Sequence, residues 1–231
     1  MQAEFRSKPT PGYGQVNGSS SSSSRTQTVR SVWKSWDEVP FDPPEWVKDK
    51  FVFLEVFSGT GRITRKVREI GKEILVLPPI DSTVSGEVKV STDILRSEIL
   101  DKLQNWIKQG CVNLAHFGTP CGSFSRARRL DGQGPPPLRS SEHPWGMPKV
   151  RQMDRSLQEA LKLGNRLLKV TIILCTMLSE VGQSWSLENP DDSYMWEIPE
   201  VIDMKVKANA SFILMHQCAY GHLSKKPTRF L

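Results

Sequence analysis

From Phe51 onward, apolar positions recur with two different periods, and the alternation between them outlines a fold. Phe51-Val-Phe-Leu-Glu-Val-Phe57 is a near-continuous apolar run closed by Ser58-Gly59, the pattern of a strand buried on both faces. Gly61–Gly71 then sets Ile63, Val67 and Ile70 on one helical face, leaves Arg62, Arg65, Lys66 and Arg68 outside it, and puts Gly71 at the C-cap. Ile74–Leu77 predicts a second strand, stopped by Pro78-Pro79. Asp93–Gln109 reads as a helix that turns Leu95, Ile99, Leu103 and Trp106 or Ile107 inward. Val112–Phe117 is a third strand and opens into a long loop rich in Pro, Gly and Arg. Met153–Ser179 is the longest helical stretch, with a break or bend expected near Gly164. Ser184–Leu187 and Ser211–Gln217 are further strands, separated by a helical turn at Tyr194–Ile198. Strands alternating with helices predict an α/β fold with a doubly wound, mainly parallel sheet. The chain stops at Leu231 with no terminating signal after Phe230, which leaves room for a sheet truncated at its last strand.

The segments before Phe51 behave differently. Residues 1–30 carry almost no core-forming side chains and include a serine run from Ser19 to Ser24, so they are expected to form a disordered tail. Residues 31–50 mix Trp33, Trp36 and Trp46 with prolines, as in an extended strap whose tryptophans dock on the domain formed by 51–231. At 231 residues and 38% hydrophobic the chain can bury a sizeable core. Its net charge of +6 permits an anionic partner without demanding one. No apolar run is long enough to cross a bilayer and no secretion signal opens the chain. Cys111, Cys121, Cys175 and Cys218 are scattered, without zinc-type spacing, so reduced thiols, no metal and an intracellular setting are expected.

Four loops at the carboxyl ends of the strands carry the candidate chemistry, since ligands of such sheets bind there. The first, Glu55 to Gly61, has two glycines and a helix N-terminus but neither a third dinucleotide-type glycine nor a P-loop lysine. Asp81 follows the second strand, where an acid can accept from ribose hydroxyls; Asp93 either contacts an adenine amino group or caps its helix. The third loop, His116 to Ser125, carries Cys121 between Pro and Gly rather than in apolar surroundings, with Arg126, Arg128 and Arg129 behind it. Nearby cations raise a thiol's thiolate fraction. Cys111, Cys175 and Cys218 read as structural. Ser186-Leu-Glu-Asn-Pro190 offers Glu188 at a strand end, and the fourth loop runs from Ala219 to Arg229.

Together these loops resemble the DNA (cytosine-5) methyltransferase family, in the family's order along the chain. Glu55-Val-Phe57-Ser-Gly59-Thr-Gly61 is similar to its cofactor motif, and Gly118-Thr-Pro120-Cys121-Gly-Ser-Phe124-Ser125 to its Gly-x-Pro-Cys-Gln-x-Phe-Ser motif. Leu187-Glu188-Asn189-Pro190 resembles Glu-Asn-Val, and Tyr220-Gly221 with Arg229 resembles the strand bearing its paired arginines. Gly122 stands where the family has Gln, Pro190 where it has Val, and Arg229 lies one position beyond the second arginine. No segment remains for a target-recognition domain.

The resemblance implies a Rossmann-like methyltransferase sheet that binds S-adenosylmethionine through Phe57, Ser58, Gly59, Thr60, Gly61, Asp81, Asp93 and Pro120. It implies Cys121 as the nucleophile toward carbon-6 of cytosine, with Glu188 and Arg229 completing the catalytic set. DNA is the implied partner. The loop from Arg126 to Arg155 holds seven cations (Arg126, Arg128, Arg129, Arg139, Lys149, Arg151, Arg155) against Asp131, Glu142 and Asp154, a balance suited to phosphate, with Arg126, Arg128 and Arg129 the nearest candidates. Two alternatives remain: a catalytically silent module on the same fold, and an amino-methyltransferase, although Asn189-Pro190-Asp191-Asp192 lacks that class's second proline and aromatic residue.

Overall fold

The computed structural model describes residues 32–71, 73–128, 134–220, 223 and 225–231; the expected tail over 1–30 lies outside them. The fold is α/β, with a mixed sheet of six strands and four α-helices. The strands are β1 (Phe51–Val56), β2 (Ile74–Val76), β3 (Leu114–Phe117), β4 (Ser184–Pro190), β5 (Ile213–His216) and β6 (Pro227–Phe230). The helices are α1 (Arg62–Ile70), α2 (Ser97–Lys108), α3 (Arg155–Glu180) and α4 (Pro199–Lys207). The strand order is β2-β1-β3-β4-β6-β5. The first four strands are parallel, and β6 enters antiparallel to both β4 and β5.

Side-chain alternation gives the sheet two unlike faces. Val52, Leu54, Val56, Ala115, Phe117 and Leu187 join one apolar core with Leu103 and Trp106 of α2 and Leu168 and Leu174 of α3. The other face carries Phe53, Glu55, His116, Ser186 and Glu188. The tryptophan strap docks on the core side: Trp36 Nε1 donates to Pro78 O at 2.8 Å, and Trp106 Nε1 to Pro40 O at 2.9 Å. Trp33 stacks on Trp46 and meets Trp106 edge-on.

Several elements differ from the pattern read in the sequence. In α1 the expected inward face does not pack: Ile70 is 81% exposed and Ile63 is also exposed, while Thr64 is buried. A polar contact turns the helix, because the buried Glu55 carboxylate accepts from both the backbone N–H and the hydroxyl of Thr64. Helix α2 starts at Ser97 rather than Asp93, whose carboxylate instead accepts from Leu95 N–H and makes a local turn. Helix α3 runs unbroken through Gly164. That position is bare for packing: a Cβ there would lie 2.2 Å from Ser123 Oγ. Helix α4, opened by Pro199 at its first turn, follows the expected turn at Tyr194. Cys218, expected to be structural, is exposed, whereas Cys111 and Cys175 are buried. Among the described residues, no helix is long and apolar enough to cross a membrane.

Candidate functional site

The chain leaves β1 for β2 on one side and later adds β3 on the other, so a crevice opens where the two connections part. On the β1 side the turn from Phe57 to Gly61 is held in left-handed conformations: φ is 57° at Phe57, 54° at Gly59 and 67° at Gly61. Phe57 tolerates this because its N–H and that of Ser58 both donate to Ile80 O. Gly59 N–H donates to Asp81 Oδ2 at 2.8 Å, and Asp81 Oδ1 accepts from Thr83 N–H. Asp81 therefore shapes the turn as well as facing the crevice. A Cβ on Gly59 would meet nothing within 4 Å, so this side of the turn is open. Ser58 Oγ is buried with no hydrogen-bond partner among the described residues.

From the β3 side, Gly118 brings the Gly118–Ser125 loop against this turn; a Cβ there would stand 2.9 Å from Phe57 O. Beyond it, buried side chains clamp the loop. Asn189 Nδ2 donates to Thr119 O at 2.7 Å, and the Thr119 and Thr171 hydroxyls are 3.0 Å apart. Arg139, only 1% exposed, donates to Ser123 O, Ser123 Oγ and Pro144 O and lies over the Phe124 ring at 3.6 Å. Burial, aided by the charge of Arg128, pushes the Arg139 guanidinium down to about 9, so it remains a cation at neutral pH. Cys121, a half-buried free thiol, projects from this fixed frame.

Between the two sides lies a pocket of about 220 Å³ lined by Phe57, Asp81, Asp93 and Pro120, with apolar walls from Ile80, Ile94, Leu163 and Leu167. Apolar walls with a few placed polar groups are the usual make-up of a small-molecule pocket. Sequence reasoning missed the walls from α3; their signal was Leu163 and Leu167 at i,i+4. Ser58, Gly59, Thr60 and Gly61 belong to the turn rather than to the pocket lining.

Glu188 follows Leu187, the partner of Phe117 in the β3–β4 ladder, so it stands just past the carboxyl end of β3. It is half-buried, and its Oε1 has no hydrogen-bond partner among the described residues. Burial pushes its carboxyl above the ordinary carboxylate range, against the opposing pull of Lys226. Two positions earlier on the same face, Ser186 Oγ lies 2.8 Å from Nδ1 of His116. Burial holds that imidazole down to about 4 and therefore neutral.

The arginines depart from expectation. Arg229 pairs in register with Asn189 while Phe230 pairs with Glu188, so Arg229 leaves the sheet on the face opposite Glu188. There its guanidinium is held by Asp191 at 2.6 Å and lies over Phe212. Arg126 is paired with Glu197 and donates to Asp192 O, and Arg128 donates to Gly122 O and Pro136 O. Both fold the loop instead of standing free; Arg129 lies outside the described residues. Among the described residues, no group of three or more His, Cys, Asp or Glu side chains is placed to hold a metal ion. No family model matches the chain, and no curated protein matches it significantly.

Proposed function

We propose that the chain is an S-adenosylmethionine-dependent methyltransferase of the cytosine-5 type that acts on DNA through a covalent Cys121 adduct. The observation that carries this reading is the shared crevice. Phe57, Asp81, Asp93 and Pro120 come from separate segments yet line one pocket, and the next residue after Pro120 is the half-buried thiol. The residues fit the cofactor: Ile80, Ile94 and Leu167 offer a slot for a flat base, Asp81 and Asp93 can accept from hydroxyl and amino groups, and the open side of Gly59 leaves space beside an unpartnered Ser58 hydroxyl. S-adenosylmethionine, when bound, supplies an electrophilic methyl group on a sulfonium.

The protein's own part begins with sulfur. Attack of the Cys121 thiolate on carbon-6 of an extruded cytosine forms a sulfur–carbon bond and makes carbon-5 nucleophilic. Carbon-5 takes the methyl, its proton leaves to a base, and the sulfur–carbon bond breaks to restore thiolate and the aromatic ring. Glu188 suits the remaining task. Burial favours its protonated form, which can donate to ring N3 while its other oxygen accepts from the exocyclic amine.

A second reading, a silent binding module on this fold, is favoured by one observation: Arg229 is held by Asp191 on the face away from Glu188. Incubation with S-adenosylmethionine and DNA containing 5-fluorocytosine separates the two, because fluorine at carbon-5 blocks release. An adduct resistant to denaturation, lost in Cys121→Ala, is expected; its absence from wild type selects the silent module. Calorimetry with S-adenosylhomocysteine reads the pocket separately.

A further inference from the structure

The basic loop expected to meet phosphate spends Arg126, Arg128 and Arg139 on its own carbonyls and carboxylates, but other cations stay exposed. Along α3, Arg155, Lys162, Arg166 and Lys169 recur at intervals of seven, four and three residues and are all exposed. That spacing places them in one stripe about 21 Å long. Among the described residues Lys162 forms an exposed ion pair with Glu159, whose carboxyl also feels the charge of Arg155. Lys149 and Arg151, on the short turn before α3, are exposed and add two more positive charges.

The stripe lies between two concavities and borders a third, shallow one beside Glu159. On one side Leu163 and Leu167 wall the candidate cofactor pocket. On the other, Gln158, Leu161 and Lys162 face Trp145, Met147 and Arg151 across a groove of about 510 Å³. Trp145 is fixed there: its Nε1 donates to Glu200 Oε2 at 3.0 Å, its carbonyl accepts from Asn165, and Lys169 Nζ stands 5.6 Å over its ring. Clustered cations beside an anchored aromatic ring match a polyanion that also carries flat rings. An isolated anion needs no indole, and a duplex keeps its rings stacked inside.

We propose that the exposed face of α3, with the Trp145 groove beside it, is a binding track for single-stranded nucleic acid, the cations holding phosphates and the indole stacking a base. The track lies beside the cofactor-type pocket, so a strand held on it passes the mouth of that pocket. This goes beyond methyl transfer and does not depend on it.

The test uses the full chain and a fluorescein-labelled single-stranded DNA of twenty nucleotides, read by anisotropy across a salt series. Arg155→Ala/Arg166→Ala is expected to weaken binding ~10-fold and to lower the slope of log K against log salt by about 1.4, at ~0.7 per phosphate contact. Trp145→Ala is expected to weaken binding ~10-fold with the slope unchanged, because stacking releases no counterions. Equal binding by the double variant, or duplex binding that is as tight and is weakened as much by the double variant, overturns the track. So does undiminished binding by Trp145→Ala together with equal capture of heparin or anionic vesicles, which would mark a general polyanion surface. The 5-fluorocytosine adduct is read on the same samples. Track binding without an adduct removes only the methyl-transfer reading, whereas an adduct with unchanged binding in the double variant removes only the track.

Discussion

The two sides of the crevice are built on opposite principles. The Phe57–Gly61 turn is held through its own backbone N–H groups, which donate to Ile80 O and to the Asp81 carboxylate, and by left-handed torsions, and is open at Gly59. The Gly118–Ser125 loop is held by buried side chains from three distant segments: Asn189, Thr171 and Arg139. The difference teaches how a site divides its labour. A turn made of backbone leaves volume for a ligand, while a loop pinned by side chains can aim one reactive atom.

Removing the pin should show the largest effect. Arg139→Met keeps the bulk over Phe124 but leaves Ser123 O and Pro144 O without their donor in a dry setting. A loss of about 3 kcal/mol in unfolding free energy is expected by denaturant titration, with adduct formation lost as the loop shifts. An unchanged midpoint would mean that the buried guanidinium is not what holds the loop. On the open side, Gly59→Ala should cost about 1 kcal/mol of stability through its left-handed backbone. Its new methyl group projects into the open side of the turn, so calorimetry should show S-adenosylhomocysteine binding weakened ~10-fold, roughly the effect of about 1.4 kcal/mol. Equal affinity would break the proposed division between the two sides.

Glu188→Gln should give the smallest change in stability and the opposite sign. The carboxyl titrates higher in the folded protein than in the unfolded chain, so wild type loses stability as pH rises from the ordinary carboxylate range through the raised value. The amide has no such loss. The variant should therefore match wild type in acid and exceed it at neutral pH, while the 5-fluorocytosine adduct forms far more slowly. Equal pH profiles of melting temperature would show that Glu188 is not strained by burial.

Much of this was legible in the sequence where burial alone decides structure. Strands β1 to β3 announce themselves as apolar runs and β4 as the alternation Trp185-Ser186-Leu187, and Phe57, Asp81 and Pro120, which follow strand ends, line one pocket together with Asp93. Legibility failed where one polar contact outweighs periodicity. The face of α1 is set by Thr64 reaching Glu55, a pairing that no local pattern records. The fate of the arginines was also hidden, since a guanidinium in sequence gives no sign of whether it meets a phosphate or a carbonyl. For Arg139 one clue existed: Gly164 in mid-helix leaves the gap that Ser123 and the guanidinium fill, yet it reads in sequence as a helix break.

The slot filled by β6 has a consequence for how the molecule assembles. Pro227–Phe230 follows both β4 and β5 in sequence, yet it is inserted between them and hydrogen-bonds both. Until those residues emerge from the ribosome, β4 has a raw edge and β5 has no neighbour to anchor it. Folding of this half must wait until Pro227–Phe230 have been made, and a nascent chain paused short of them offers β4 as a docking rail for chaperones or for another unfinished copy.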